Sequence, residues 1–113
     1  MRKVTLGVSS RNEINQRFRK AFEGESQGQF ITFESPALLF KVLTGKRWEL
    51  LDMMTGTGAM SIREAARRLG RDVKNVHSDV HALLKTELLQ KNDSGGIEFP
   101  YDTLQVKFTI KAA

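Results

Sequence analysis

The sequence predicts an α+β fold, and three observations carry that reading. Residues 61–86 hold a short helix and a longer one, each with a capping residue at its start, joined by a tight turn. A hairpin signature, 92-NDSGG-96, follows at once. Apolar residues alternate near both ends of the chain, at Val4, Leu6 and Val8 and again at Leu104, Val106, Phe108 and Ile110, which is the period of a half-buried strand.

The remaining elements follow in order. After the strand at 4–8, the run 11-RNEINQRFRKAFEG-24 puts Ile14, Phe18, Ala21 and Phe22 on one helical face, with Gly24 as the stop. A strand at 29–33 comes after the turn-like ESQG. Pro36 opens a helix at its first position with Ser35 as cap, and the apolar 36-PALLFKVL-43 is expected to pack on the body of the domain. Helix 46–54 should bury Trp48, Leu51 and Met54 before Gly56 and Gly58 break it. The TGTG there lacks the lysine and the preceding strand of a phosphate-cradling P-loop and reads as a turn. Ser61 and Glu64 have the spacing of a capping box, in which the serine caps an amide and the glutamate reaches back. Ile62, Ala65, Ala66 and Leu69 face inward, and Gly70 gives a tight exit to a helix over 72–86 headed by Asp72. Leu88 to Lys91 and Ile97 to Phe99 are the arms of the hairpin, and Pro100 ends the second. The last strand keeps Lys107 and Lys111 outside. Because a two-stranded pair is marginal alone, the terminal strands are expected to join one sheet, within the chain or across a homodimer.

That order, helix, short helix, tight turn, long helix, hairpin, is the order of a winged helix-turn-helix. The predicted organisation is an N-terminal strand–helix–strand extension over 1–44, a candidate dimerisation segment, followed by a winged helix-turn-helix with a C-terminal strand over 45–113.

Composition narrows the function. The 113 residues carry a net charge of +5, which suggests a polyanionic partner. No cysteine is present, which removes disulfide frameworks and thiolate metal sites and is compatible with the expected cytoplasmic location. There is no apolar run of about 18 residues, so no membrane-spanning helix is expected; the basic start lacks the apolar centre of a signal peptide. No nucleophile with an identifiable base, no clear carboxylate pair and no cofactor loop is found. The expectation is a non-enzyme without cofactor.

The long helix decides the class. At about 100° per residue, Val73, Val76, Val80, Leu83 and Leu84 fall on one side. Lys74, Ser78 and Lys85 lie opposite, flanked by Asn75 and His81. A polar outer face is what most soluble helices have, so this face alone says little; the capped helix pair, the turn and the hairpin make it a candidate reader of DNA. Lys74, Asn75, Ser78 and His81 are the candidate base contacts, since asparagine can bond an adenine edge in bidentate fashion and lysine can approach guanine. Arg63, Arg67, Arg68, Arg71, Lys85 and Lys91 are the candidate phosphate contacts, which position without specifying. Asp79 is suited to a local ion pair. His77 and His81 stand four apart, but the glutamate of the zinc-protease pattern and any cysteine are missing, so no metal site is expected and His77 reads as a boundary residue. RNA binding lacks its usual aromatic strand motif.

The run 44–102 resembles the MarR-like winged-helix regulators. The segments 33-FESP-36, 46-KRWELL-51, the run 61–83 and 100-PYD-102 are more closely similar to a family of small archaeal and bacterial DNA-binding proteins. The resemblance covers nearly the whole chain. It implies a winged helix, dimeric, that represses transcription. A two-fold dimer would set two such helices about one turn of double-stranded DNA apart, on an inverted repeat. Some such relatives are antitoxins, so the resemblance also implies a small toxin protein as a partner. One departure stands out: Thr86 and Glu87 occupy the exit of the long helix, where these regulators commonly have glycine before the wing.

Overall fold

The computed structural model describes residues 2–8 and 29–110, so the helix expected over 11–24 and Lys111 lie outside it. The chain is α+β, with four helices and two small sheets among the described residues. They form two units. One joins residues up to Lys41 with those from Thr103 onward, and the other is Val42–Asp102.

The first unit is built on a three-stranded sheet. Strands β1 (Lys3–Val8), β2 (Gln29–Phe33) and β5 (Thr103–Lys107) lie in the order β2-β1-β5. Both pairings are parallel: Leu6 stands opposite Ile31 on one side and Val106 on the other. The terminal strands do join one sheet, and they do so within a single chain. Their burial differs from expectation. Val4, Thr5, Leu6 and Gly7 are all buried, because β1 is the central strand of a parallel sheet rather than half of a solvated pair. The strand expected to run to Ile110 ends at Lys107, and Phe108 and Ile110 are exposed. The pairing also moves residues 103–107 out of the segment to which the division at 44/45 had assigned them.

Helix α1 (Pro36–Val42) starts where Ser35 Oγ accepts the Leu38 amide at 3.2 Å. Only Leu39 of this helix is buried, and Leu38 and Phe40 stay exposed. Seven residues make two turns, enough for one inward position and not for the whole apolar run.

The second unit holds α2 (Gly45–Met54), α3 (Ile62–Leu69), α4 (Val73–Lys85) and the antiparallel hairpin β3 (Gln90–Lys91) and β4 (Ile97–Glu98). Its core comprises Leu50, Leu51 and Met54 of α2, Ala65 and Ala66 of α3, and Val76, Val80 and Leu83 of α4. Met60, Leu88, Leu89, Ile97, Phe99 and Tyr101 complete it. Trp48, expected inside, is 45% exposed. The inward stripe of α2 runs through positions 47, 50, 51 and 54, so Arg47, rather than the tryptophan, takes the inward position of the first turn. Val73 is likewise exposed, being the first residue of its helix.

Helix ends carry the local chemistry. Ser61 Oγ accepts the Glu64 amide at 3.1 Å, the first half of the capping box. The second half is absent, since both Glu64 carboxylate oxygens are taken by Arg67 and Arg68. Helix α3 ends in a Schellman turn: Gly70 N–H donates to Arg67 O, Arg71 N–H donates to Ala66 O, and Gly70 has φ of +64°. Helix α4 ends the same way, with Glu87 N–H on Leu84 O and Leu88 N–H on Leu83 O. The left-handed position there is Glu87, at φ +67°. It is the only described residue other than glycine with a positive φ.

The hairpin loop closes on Asn92, whose Oδ1 accepts the Gly96 amide at 2.7 Å. Met60 adds a one-residue bridge to the sheet by exchanging two hydrogen bonds with Ile97, at 2.9 and 2.8 Å. The expected hairpin is present, with shorter arms than the sequence suggested.

Candidate nucleic-acid interface

Helix α4 is positioned from three sides. Asp72 caps it through Lys74 N at 2.8 Å, Val76, Val80 and Leu83 bury its inner stripe, and the turn at Gly70 sets its angle to α3. The outer face that results presents Lys74, Asn75, Ser78, His81 and Lys85, all exposed. The four candidate base readers therefore stand on the solvent side of one helix.

Asn75 and Ser78 also line a cleft of about 600 Å³ within the second unit. Its other walls are Thr44, Gly45 and Lys46 at the start of α2, with Arg47, Arg71 and Asp79. Three cations face one carboxylate across it. The N-terminus of α2 opens on the same space, and a helix N-terminus favours an anion through its free amides and its dipole. Thr44 Oγ1 occupies the Arg47 amide at 3.3 Å.

Asp79 organises this cleft. Arg47 Nε donates to its Oδ1 at 3.0 Å and Arg71 Nη2 to its Oδ2 at 2.7 Å. Burial on its own would raise the Asp79 pKa, but the hydrogen bonds and charges of Arg71 and Arg47 outweigh it and hold the carboxyl below its ordinary value. The carboxylate expected to make a local ion pair makes two. Arg47 Nη1 also reaches Val42 O at 3.0 Å. Arg71 Nη1 is buried with no hydrogen-bond partner among the described residues, which leaves one donor of the guanidinium unspent.

The candidate phosphate contacts separate into three groups. Arg63, Lys85 and Lys91 are exposed on α3, α4 and β3. Arg67 and Arg68 are exposed but held by Glu64, with contacts of 2.9 and 2.5 Å from Arg67 and 2.7 Å from Arg68. The hydrogen bonds from Arg67 and then Arg68 pull the Glu64 pKa down to about 2, so the carboxylate stays charged in all but strong acid. Arg71 is mostly enclosed, its side chain 14% exposed. Sequence reasoning missed Lys46 and Arg47 altogether. The signal was there, in a cationic residue on the i, i+3, i+4, i+7 stripe of α2 and an unmatched aspartate on α4. His77, placed at the boundary by periodicity, is exposed, with its ring turned to His81 rather than inward.

Among the described residues no helix is long and apolar enough to cross a membrane. The fold and this cleft define a small α+β protein with a basic, helix-borne polar face. Residues 42–106 match the model of the HVO_A0114 family, and the chain belongs to that family. The matched segment covers the whole second unit and runs on into β5. No curated protein and no solved structure matches the chain.

Proposed function

We propose that this protein is a sequence-specific double-stranded DNA-binding regulator of the winged helix-turn-helix type, MarR-like, acting as a repressor. The observation that carries the reading is the exposed row Lys74, Asn75, Ser78 and His81 on a helix braced by a second capped helix and a tight turn. In this reading α4 enters the major groove. Asn75 bonds an adenine edge and Lys74 a guanine, while Ser78 and His81 make permissive contacts. A backbone phosphate approaches the cleft at the start of α2, where Lys46 meets it and Arg71 adds its charge from the wall. Arg63 and Lys85 hold flanking phosphates, and the hairpin, with Lys91, serves as the wing.

Selection of binding sites from random duplexes, followed by titration of the winning site, tests this. Asn75→Ala is expected to weaken the selected site by about 1–3 kcal/mol and relax one base position. Equal losses on selected and random DNA would remove Asn75 as a reader.

A second reading has its own observation. In the first unit Leu38, Phe40, Phe108 and Ile110 are 42%, 53%, 40% and 93% exposed. Phe40 and Phe108 pack edge to face, with ring centroids 5.3 Å apart. Exposed apolar surface of this kind marks protein contact. It supports a homodimer, and equally an antitoxin that covers a small toxin. A toxin-like reading frame beside the gene, and co-purification of its product in a stable complex without nucleic acid, would decide for the antitoxin.

A further inference from the structure

On the flank of α4 away from the cleft, His77 and His81 turn their rings toward each other. The ring centroids are 4.2 Å apart at an interplanar angle of 45°, and the two Nε2 atoms are 3.0 Å apart. Both side chains are exposed, so neither is held by the core. A neutral imidazole has one N–H and one lone pair, so this contact has two possible uses. Either one Nε2 donates to the other, or both keep their lone pairs for a third atom.

The spacing suits the second use. Imidazole nitrogens bind first-row divalent ions at about 2.0–2.1 Å, so an Nε2···Nε2 separation of 3.0 Å subtends about 94° at a shared ion. That is the cis angle of square-planar or tetragonal coordination, whereas a tetrahedral centre needs about 109°. We propose that His77 and His81 form a two-imidazole chelate on α4 for a tetragonal divalent transition ion, copper(II) or nickel(II) in character. No group of three or more histidine, cysteine, aspartate or glutamate side chains gathers among the described residues, so the remaining positions are for water or an incoming donor. Two imidazoles leave the rest of a tetragonal ion's coordination to exchangeable donors, as an effector's site requires. In both histidines Nδ1 carries the proton when Nε2 binds, which makes the chelate strongest where both imidazoles are neutral.

The chelate has a consequence that rests on the DNA reading above. His81 is one of the four base readers, and its Nε2 cannot serve the ion and a base edge together. Ion and operator then exclude each other at that atom, and the ion weakens binding to the selected site.

Titration of the full chain with Cu²⁺, followed by its visible d–d absorption and without DNA, tests the site. One ion per chain is expected, with imidazole nitrogen coupling in the electron paramagnetic resonance spectrum. His77→Ala and His81→Ala should each weaken binding at least tenfold, since the second ligand of a chelate acts at high effective concentration. Both positions are exposed, and an unchanged thermal melt without metal confirms that each variant is folded. Cu²⁺ affinity equal in the wild type and in the double variant His77→Ala/His81→Ala overturns the proposal. A separate titration of the selected DNA site with and without Cu²⁺ reads the coupling. Should the protein select no DNA site at all, the metal titration still stands on its own.

Discussion

Asp79 is the residue on which the second unit's polar chemistry turns. Its carboxylate joins Arg47 of α2 to Arg71 in the turn between α3 and α4, with all three side chains at most 18% exposed. Losing it would leave two guanidiniums close together and largely removed from water. Asp79→Ala is expected to cost about 2 kcal/mol, somewhat less than the 3–5 kcal/mol of a fully buried pair, measured by urea unfolding. Its pH dependence has a definite sign. The folded pKa lies below the ordinary value of 3.8, so the stabilisation is complete above that value and is lost as pH falls through the folded one. The stability gap between wild type and Asp79→Ala should therefore stay constant from pH 7 to about 5 and close in stronger acid. A gap that did not narrow anywhere on the acid side would mean that packing rather than charge supplies it. Sequence reasoning paired Asp79 correctly as to kind but could not name its partners, because one of them lies 32 residues away on another helix. Trp48 misled for a related reason. Hydropathy assigns the inside to the largest apolar residue, and the carboxylate that lets Arg47 take that place stands on another helix.

At the scale of elements, the caps were legible and the ends of strands were not. Ser61, Gly70 and Asp72 each do what their residue type predicts, because a cap is satisfied within three or four residues of itself. Strand limits depend on the partner strand, and both hairpin arms proved shorter than their apolar runs. The exit of α4 combines the two cases. The sequence departs from the expected glycine, yet the backbone keeps the glycine conformation, with Glu87 carrying it. A left-handed residue with a Cβ costs about 1–2 kcal/mol, and glycine returns about 0.5–1 kcal/mol of that as lost chain entropy. Glu87→Gly should therefore stabilise the protein by up to about 1 kcal/mol, seen as a rise of a few degrees in Tm. Destabilisation would show that the Glu87 side chain makes a contact worth more than the strain. Since Leu88 and Leu89 follow directly and are buried, this one turn sets where the hairpin leaves the helix.

The whole molecule combines a basic, helix-borne face with an apolar cluster in its first unit, and each makes a measurable demand. If the polar face of α4 binds duplex DNA, log affinity should fall linearly with log salt, with a slope of about −0.9 for each phosphate neutralised. Arg63→Ala should flatten that slope by about one on every sequence tested, and an unchanged slope would take Arg63 out of the interface. The parallel sheet was the least legible feature. Alternation at both ends of the chain showed that each end wanted cover, but period alone carries no direction and no register. Lys3 in fact stands opposite Thr103, a hundred residues further on. That pairing orders events in time. On a ribosome β1 is made first and β5 last, so the central strand waits for one of its two neighbours until the whole family-matched segment has been synthesised. Closing so long a loop carries an entropic term on the order of 4 kcal/mol, and the sheet of the first unit is the natural last step of folding, with β1 exposed along one edge until it is taken.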